Sequence, residues 1–454
     1  MPALRSAPVR LVALAVTLAL GSHAFAKATL QGSLSLSEGW TDNVLSAPDK
    51  PVAGDPAKEG DALWDIRPGL TLTTGTPRAI QRVAYLFSTE LYLNHSEADA
   101  YTNRLEWNGL FQPNARTTLL LDAAATEGRL STFNLLTPSA VNQVQATPVD
   151  SPTVFDASIQ QELSYELTAK FRLIQSLALL SVVPISGGIL PATVQVTPII
   201  GIERDWKRDA LALTYHIDYT YFSEVDTTIT AADGTKKITP LTPVEDQIIN
   251  TLLVKWRHDL GRQFSSELAA GVTEAIRPST ATGEIWQPAG MAAIHYSHPN
   301  AQFGLTYQRR IQPNLFVAQT FLVDQVDFSG GVPLGLRSHL IFSASAGYQY
   351  DQVLDVNNGK IGGTVHVILA DATLAWIPRP ELQVFFRYQL FDQISGNDRD
   401  LFLQPSLMRN IFQIGLTATF PGEPAVRVPG HLADRVDRTD QLGIPPEHTP
   451  APKY

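Results

Sequence analysis

Apolar and polar residues alternate with a period of two along most of this chain. The pattern is cleanest in residues 211–221, where Leu211, Leu213 and Tyr215 alternate with Thr214 and His216. Successive side chains of a β-strand point to opposite faces of the sheet, so this period predicts strands with one apolar and one polar face.

About 18 stretches of this kind follow one another, and an even number of strands leaves both ends of a barrel on one side. The predicted strands are residues 29–40, 63–73, 83–93, 104–112, 119–125, 161–167, 171–179, 194–202, 211–221, 248–256, 264–272, 286–296, 303–307, 320–328, 340–350, 366–376, 382–390 and 409–420.

The connections between these strands alternate between short and long. Short, turn-rich segments begin at Thr74, Pro113, Ser297 and Pro378. The longer connections are residues 42–62, 129–155, 223–247, 351–363 and 391–408. Outer-membrane barrels have short periplasmic turns and long extracellular loops, and a soluble β-sandwich has no reason to keep this alternation.

Aromatic residues fall on the apolar face near the strand ends. Trp40, Trp64 and Trp286 lie at the predicted outer ends, and Trp256 and Trp376 lie at the inner ends. Such placement is typical of the two aromatic girdles of a lipid-facing wall.

A few residues do not fit this scheme. Pro68, Pro198 and Pro288 lie within predicted strands and lack a ladder donor, which predicts bulges or misplaced strand ends. Asp324 falls on the predicted lipid face of residues 320–328, so the phase of that strand is ambiguous.

The last predicted strand resembles the closing-strand signal of outer-membrane β-barrels. Gln413, Gly415 and Phe420 have the spacing of that signal, although Ala418 stands where a larger apolar residue is usual. The resemblance implies an all-β fold, a transmembrane antiparallel up-and-down β-barrel of about 18 strands. We expect this strand to pair with the one that begins near Thr29, and the barrel-assembly machinery to insert the protein.

The two ends of the chain differ from the barrel region. Residues 1–26 carry Arg5 and Arg10, then a short apolar run and Ala24-Phe25-Ala26, which predicts a cleaved signal peptide. The barrel is predicted to span residues 27–420. Residues 421–454 are rich in proline and charge, which predicts a disordered periplasmic tail, either without a specific role or docking a periplasmic partner.

Composition narrows the location. The net charge of −10 becomes −10 − 2 = −12 once the two signal arginines are removed, which gives no electrostatic case for nucleic acid. The chain has no cysteine, and no apolar run after Leu20 is long enough for a membrane helix. We therefore expect the outer membrane of a Gram-negative bacterium, in contact with its lipid and lipopolysaccharide.

The polar faces of the predicted strands carry nearly matched acidic and basic residues. They provide either cross-strand ion pairs that stiffen the wall or a selective constriction, and their balance argues against strong selection by charge. Glu90 and Arg104 lie on adjacent predicted strands where they could pair, as do Lys255, Arg257 and Glu267. The candidates for lining the lumen are Asp65, Arg67, Arg82, Glu90, Arg104, Glu106, Asp122, Glu162, Glu166, Asp218, Lys255, Arg257, Glu267 and Arg387.

No candidate catalytic or metal-binding motif stands out. His216 and Asp218 share a face but have no placed nucleophile, and the histidines lack a spacing such as HExxH. We predict no enzymatic activity, no cofactor and no metal. A barrel of about 18 strands is too wide for its own side chains to fill, so the interior should hold water or a plug.

Two further segments carry a resemblance to a known group of proteins. Residues 37–44, SEGWTDNV, and residues 65–72, DIRPGLTL, with Pro113-Asn-Ala-Arg116, resemble outer-membrane β-barrels associated with exopolysaccharide synthesis and export systems. The resemblance implies export of a polysaccharide across the outer membrane together with a periplasmic polysaccharide-export protein. Two alternatives remain open, a general diffusion porin or small-solute channel and a structural or adhesive barrel.

Overall fold

In the computed structural model, 18 antiparallel strands close into one barrel. The structure describes residues 27–49, 57–129, 153–186, 191–223, 226–230, 236–240, 246–261, 263–276, 284–298, 301–314, 319–335, 339–355, 360–395 and 406–420. The predicted signal peptide and the predicted tail lie outside these residues.

The barrel strands are joined in chain order. They are β1 (Lys27–Thr41), β2 (Asp61–Thr76), β3 (Ala79–Tyr92), β4 (Ala100–Asn114), β5 (Thr117–Arg129), β6 (Thr153–Glu166), β7 (Phe171–Ser186), β8 (Thr193–Asp205), β9 (Asp209–Phe222), β12 (Gln247–Asp259), β13 (Phe264–Ile276), β14 (Glu284–His298), β15 (Ala301–Asn314), β16 (Gln319–Pro333), β17 (Leu340–Asp355), β18 (Lys360–Arg379), β19 (Leu382–Ser395) and β20 (Leu407–Phe420). A separate two-stranded hairpin, β10 (Asp226–Thr230) and β11 (Lys236–Pro240), lies in the connection after β9.

The seam between the first and last strands closes the sheet. β1 pairs antiparallel with β20 from Gly32 opposite Phe420 to Thr41 opposite Ile411, and β1 pairs with β2 on its other side. Both strands of the seam therefore have partners on both sides, which leaves no free sheet edge there. The predicted pairing of the last strand with the first is confirmed.

Each of the 18 predicted strands coincides with one observed barrel strand, but the observed strands are longer. The predicted loop at residues 351–363 is wrong, because β17 continues to Asp355 and β18 begins at Lys360. The hairpin of β10 and β11, within the predicted loop 223–247, was also not predicted. Cross-strand hydrogen bonding continues past the point where the alternation weakens, so the pattern marks the centre of a strand better than its ends.

The proline prediction is only partly right. Pro68 and Pro198 interrupt one ladder each, between Ile66 and Gly69 and between Val196 and Ile199, but the register is the same on both sides of each gap. These sites are gaps without a bulge. Pro288 stays paired with Val272 of β13.

The outer wall is apolar. Trp286 is 59% exposed, Ile294 is 52% exposed and Phe420 is 65% exposed, and large apolar residues are exposed around the whole barrel. A contiguous exposed apolar surface of this extent is unstable in water and stable in lipid. The described residues contain no helix of the length and apolarity that would cross a bilayer. With its closed antiparallel sheet and apolar wall, the protein is an outer-membrane β-barrel.

Candidate functional site: the lumen and its inner hairpin

The inner wall of the barrel carries many polar and charged side chains. The predicted lumen candidates all lie on strand positions that alternate with exposed apolar residues, so their side chains face the interior. The candidates that are almost fully buried there are Asp65, Glu90, Glu106, Glu162, Lys255 and Glu267. Whether all of the candidates contact a passing solute stays a prediction.

Ion pairs within single strands occupy much of this wall. Arg67 Nη2 lies 2.6 Å from Asp65 Oδ2, and Arg104 Nε lies 2.5 Å from Glu106 Oε1. The register places Ala100 opposite Glu90, and Arg104 bonds to Glu106 along its own strand, so the pairing of Glu90 with Arg104 stays a prediction. Residues two apart on a strand share a face, so long side chains pair there as readily as across strands.

Other pairs do cross between strands near the periplasmic end. Lys255 Nζ lies 3.9 Å from Glu267 Oε1, and Arg257 Nη2 lies 3.6 Å from Asp205 Oδ1. Arg172 binds both Glu203 and Asp205. Arg172, Asp205 and Arg257 line a cavity of about 300 Å³ at this end of the lumen. Arg387 pairs with Asp371 at 2.5 Å on another part of the wall.

The wall is interrupted between β14 and β15 toward the extracellular end. Their ladder runs from His298 opposite Ala301 to Gly290 opposite Arg309 and then stops, although both strands continue. Beyond that point β14 pairs only with β13 and β15 pairs only with β16. Pro288 lies in the unpaired part of β14, as expected for a residue that has no N–H to donate to a neighbour.

Past this interruption, the ends of β15 and β16 bend into the lumen. We call the segments Arg310–Pro313 and Thr320–Val323, which pair with each other, the inner hairpin. Ile311 and Leu322 occupy positions that face lipid lower in the same strands, yet they are 4% and 1% exposed. They cluster with Ile249, Ala275 and Ile285, which face the interior from β12, β13 and β14. The outer face of the inner hairpin therefore packs against the inner face of the neighbouring wall.

The opposite face of the inner hairpin is buried as well. Phe321 and Val323 pack with inward-facing residues of β17 to β20, namely Val353, Val365, Val367, Phe391 and Leu407. A strand buried on both faces has a continuous apolar run in place of alternation. Residues 321–323, Phe-Leu-Val, are such a run, which explains why the phase of residues 320–328 was ambiguous.

The inward bend brings Arg310 toward acidic residues of other strands. The acidic residues that act electrostatically on Arg310 are Asp218, Asp327 and Asp351. Asp218 is on β9, four strand-to-strand steps away through β12, β13 and β14, which is about 19 Å along the wall at about 4.8 Å per step. Arg310 approaches Asp218 because the inner hairpin has left the wall.

Asp324 lies on the outer wall where the inner hairpin departs. Arg309 Nη1 lies 2.9 Å from Asp324 Oδ2, and the Tyr307 hydroxyl donates to Asp324 Oδ1 at 2.7 Å. Asp324 is opposite Tyr350, at the level of the outer aromatic girdle. The lipid-facing position predicted for Asp324 is thus at the membrane interface, where a paired carboxylate costs far less than at the midplane.

Several lumenal residues were not among the predicted candidates. Arg310 lies beyond the predicted end of residues 303–307, and Asp351 lies one residue beyond residues 340–350. The alternation of Gln308, Arg310 and Gln312 could have revealed the first of them. His216 and Asp218 do not bond to each other, because His216 bonds to Thr214 and Asp218 accepts from Thr197. Among the described residues, no three His, Asp or Glu side chains lie close enough to hold a metal ion.

A histidine bridges two acidic residues at the extracellular rim. His95 Nδ1 lies 3.0 Å from Asp61 Oδ2, and His95 Nε2 lies 3.0 Å from Glu59 Oε2. Hydrogen bonds to Asp61 and Glu59 raise the pKa of His95 above its usual range. His95 therefore ties the connection after β3 to the strand that begins at Asp61.

This bridge should make rim stability depend on pH. A raised folded-state pKa means that the contribution of His95 is fully present below about pH 6.5, the pKa of an unfolded histidine, and is lost as pH rises through the folded value. We expect the urea midpoint of wild type to exceed that of His95→Gln by more at pH 5.5 than at pH 8.5. Equal differences at both pH values would contradict a charged bridge.

Comparisons with known proteins find similarity only to solved structures of low sequence identity. No family model matches the chain, and no curated protein matches it. Pseudomonas aeruginosa OccK9 (OpdG) is 12% identical, with 88% of this chain and 100% of that chain covered and a TM-score of 0.46. OccK2 (OpdF) of the same organism, solved in complex with glucuronate, is 11% identical, with 88% and 100% covered and a TM-score of 0.45. The siderophore receptor PirA of Acinetobacter baumannii is 8% identical, with 88% and 81% covered and a TM-score of 0.43.

Proposed function

We propose that this protein is a small-solute channel of the outer membrane and that the inner hairpin narrows and gates its lumen. The observation that supports this most is the combination of a closed 18-stranded wall with a hairpin that bends into the lumen with both faces buried. A polar, charge-matched interior suits passage of hydrated solutes, and no covalent chemistry is needed for that role.

The proposed gate has two positions, because β14 and β15 each have an unpaired edge beyond the interruption. Continuing the register of Gly290 opposite Arg309 would place Gln287 opposite Gln312. Pairing there would return the inner hairpin to the wall and widen the lumen. The interruption of the ladder is thus the hinge of the proposed gate, with the paired residues below it fixed in the wall.

Energetics favour the inward position at rest. Burying a large apolar side chain away from water contributes about 1.5–3 kcal/mol. A return to the wall would expose Phe321 and Val323 to the lumen, whereas Ile311 and Leu322 would exchange protein contacts for lipid. Each backbone hydrogen bond gained by returning to the wall contributes only about 0.5–1.5 kcal/mol net, and Pro288 and Pro313 can donate none. Opening therefore needs a solute or another stimulus that favours the outward position.

Liposome swelling tests the proposed function. We expect the reconstituted protein to admit monosaccharides and to exclude tetrasaccharides, because the inner hairpin narrows a lumen that would otherwise be wide. Liposomes that carry heat-denatured protein are the control. Equal swelling in every sugar, or none in any, would contradict a narrowed channel.

Polysaccharide export is the second candidate, and the resemblance of residues 37–44 and 65–72 is its support. A polymer chain would need the inner hairpin to move outward, as in the proposed gate. Loss of surface polysaccharide on deletion, with unchanged uptake of small solutes, would favour export. Normal polysaccharide with slowed uptake would favour the small-solute channel.

A further inference from the structure

The lumen carries a local excess of negative charge at the level of the inner hairpin. Asp218, Asp327 and Asp351, which we call the three-aspartate cluster, face the interior from β9, β16 and β17. Within the described part of the chain, Arg310 is the only cationic side chain that acts electrostatically on any of the three. Three carboxylates and one guanidinium leave 3 − 1 = 2 excess negative charges when all are ionised.

Several other lumenal carboxylates are compensated directly. Asp65, Glu106 and Asp371 each contact an arginine at 2.5–2.6 Å. The overall balance of lumenal charge, which argued against selection by sign, therefore does not hold at the inner hairpin. A constriction is the place where local charge most affects which solutes pass.

A buried acceptor without a donor lies in the same cluster. Gln349 is 3% exposed, and its Nε2 donates to both carboxylate oxygens of Asp351, at 2.8 and 2.7 Å. The Oε1 of the same amide is buried and has no hydrogen-bond partner. A buried acceptor without a donor is destabilising, and a ligand N–H group that reaches it would satisfy it.

Part of the cluster is accessible from the lumen. Asp218, Asp327 and Arg310 are each only partly buried, whereas Asp351 and Gln349 are 1% and 3% exposed, so a solute meets Asp218 and Asp327 first. The hydrogen-bond acceptors of the site are the three carboxylates, which lie on β9, β16 and β17, and the amide oxygen of Gln349 on β17. A planar or branched cation with several N–H donors can satisfy acceptors that are spread in this way.

We propose that the three-aspartate cluster, together with Gln349 Oε1, binds the cationic group of a solute, a guanidinium or a primary ammonium. The site rests on the proposed channel function, because it gives that channel a preference for cationic solutes at its constriction. Arg310 supplies the positive charge near the cluster when no solute is bound. The cationic group of a bound solute neutralises the aspartates together with Arg310 or in its place.

Calorimetric titration of the full-length protein, folded in detergent, tests the site. The probes are arginine and citrulline, which share their backbone groups and length, whereas citrulline has a neutral ureido group in place of the guanidinium. We expect arginine to bind at least tenfold more tightly than citrulline. Asp218→Asn combined with Asp351→Asn should lower the ratio of the citrulline Kd to the arginine Kd at least fivefold. The single variant Asp327→Asn should lower the same ratio to a smaller extent.

Asp122→Asn is the matched control. Asp122 is a lumenal carboxylate outside the cluster, where it accepts from Asn108 Nδ2 at 2.8 Å, so its neutralisation should leave the preference unchanged. Heat-modifiable gel mobility verifies that each variant is folded. Equal binding of arginine and citrulline by wild type would overturn the proposal, as would a preference that survives in every cluster variant or binding of Ca²⁺ in place of arginine.

Failure of the site and failure of the channel give different results. Binding of arginine by a protein that supports no ion conductance in planar bilayers would retain the site and refute the channel. Conductance without any preference for arginine would retain the channel and refute the site.

Discussion

A disulfide between Gln287→Cys and Gln312→Cys should hold the inner hairpin in the wall and raise single-channel conductance severalfold. The extrapolated register places these two residues opposite each other with both side chains facing the lumen, a separation that a disulfide can span. They are not paired in the inward position, so the bond can form only when β15 returns to β14. The chain has no cysteine of its own, so no other thiol competes.

Conductance in planar bilayers, before and after reduction, measures this effect. Reduction should return the conductance to the wild-type value, because burial of the inner hairpin again favours the inward position. Met291→Cys with Gln308→Cys is the matched control, since these residues are already opposite each other in the wall. Its disulfide should form without a change in conductance. If the bond at 287 and 312 forms and conductance stays constant, the inner hairpin is not a gate.

Gly415→Val should prevent most of the protein from reaching its folded, heat-modifiable form. A Cβ at position 415 would lie 2.5 Å from the Leu36 backbone oxygen, 2.6 Å from Ser37 Cβ and 2.7 Å from Phe385 Cζ. The backbone oxygen belongs to the β1 ladder and cannot move without breaking the seam. Overpacking typically costs about 1–3 kcal/mol, and here it acts on the pairing that closes the barrel.

Ala418→Val is the control for this substitution. Position 418 is on the lipid-facing side of the same strand, where a larger apolar residue is usual in closing strands, so this variant should fold as wild type does. Gel mobility of unheated samples after refolding into detergent reports the folded fraction. Normal folding of Gly415→Val would mean that the seam tolerates a different register from the one between β1 and β20.

Much of the candidate site could be predicted one residue at a time. Asp65, Arg67 and Glu267 follow from alternation, because every second residue of a wall strand faces the interior. Arg310 and Asp351 were not predicted to face the lumen, because the alternation of apolar and polar residues weakens near the ends of their strands. Ion pairs within one strand, such as the bond of Arg104 to Glu106, were harder to predict, because several side chains on one face lie within reach of a long side chain.

The sequence by itself determined the wall, the number of strands, the seam at Phe420 and the apolar outer face. These properties depend on a period of two and on turn lengths, which are local. Only the tertiary structure decided that the ends of β15 and β16 leave the wall. That choice depends on whether Ile311 and Leu322 meet lipid or the inner face of β12 to β14, and residues so far apart in the chain come together only when the barrel closes.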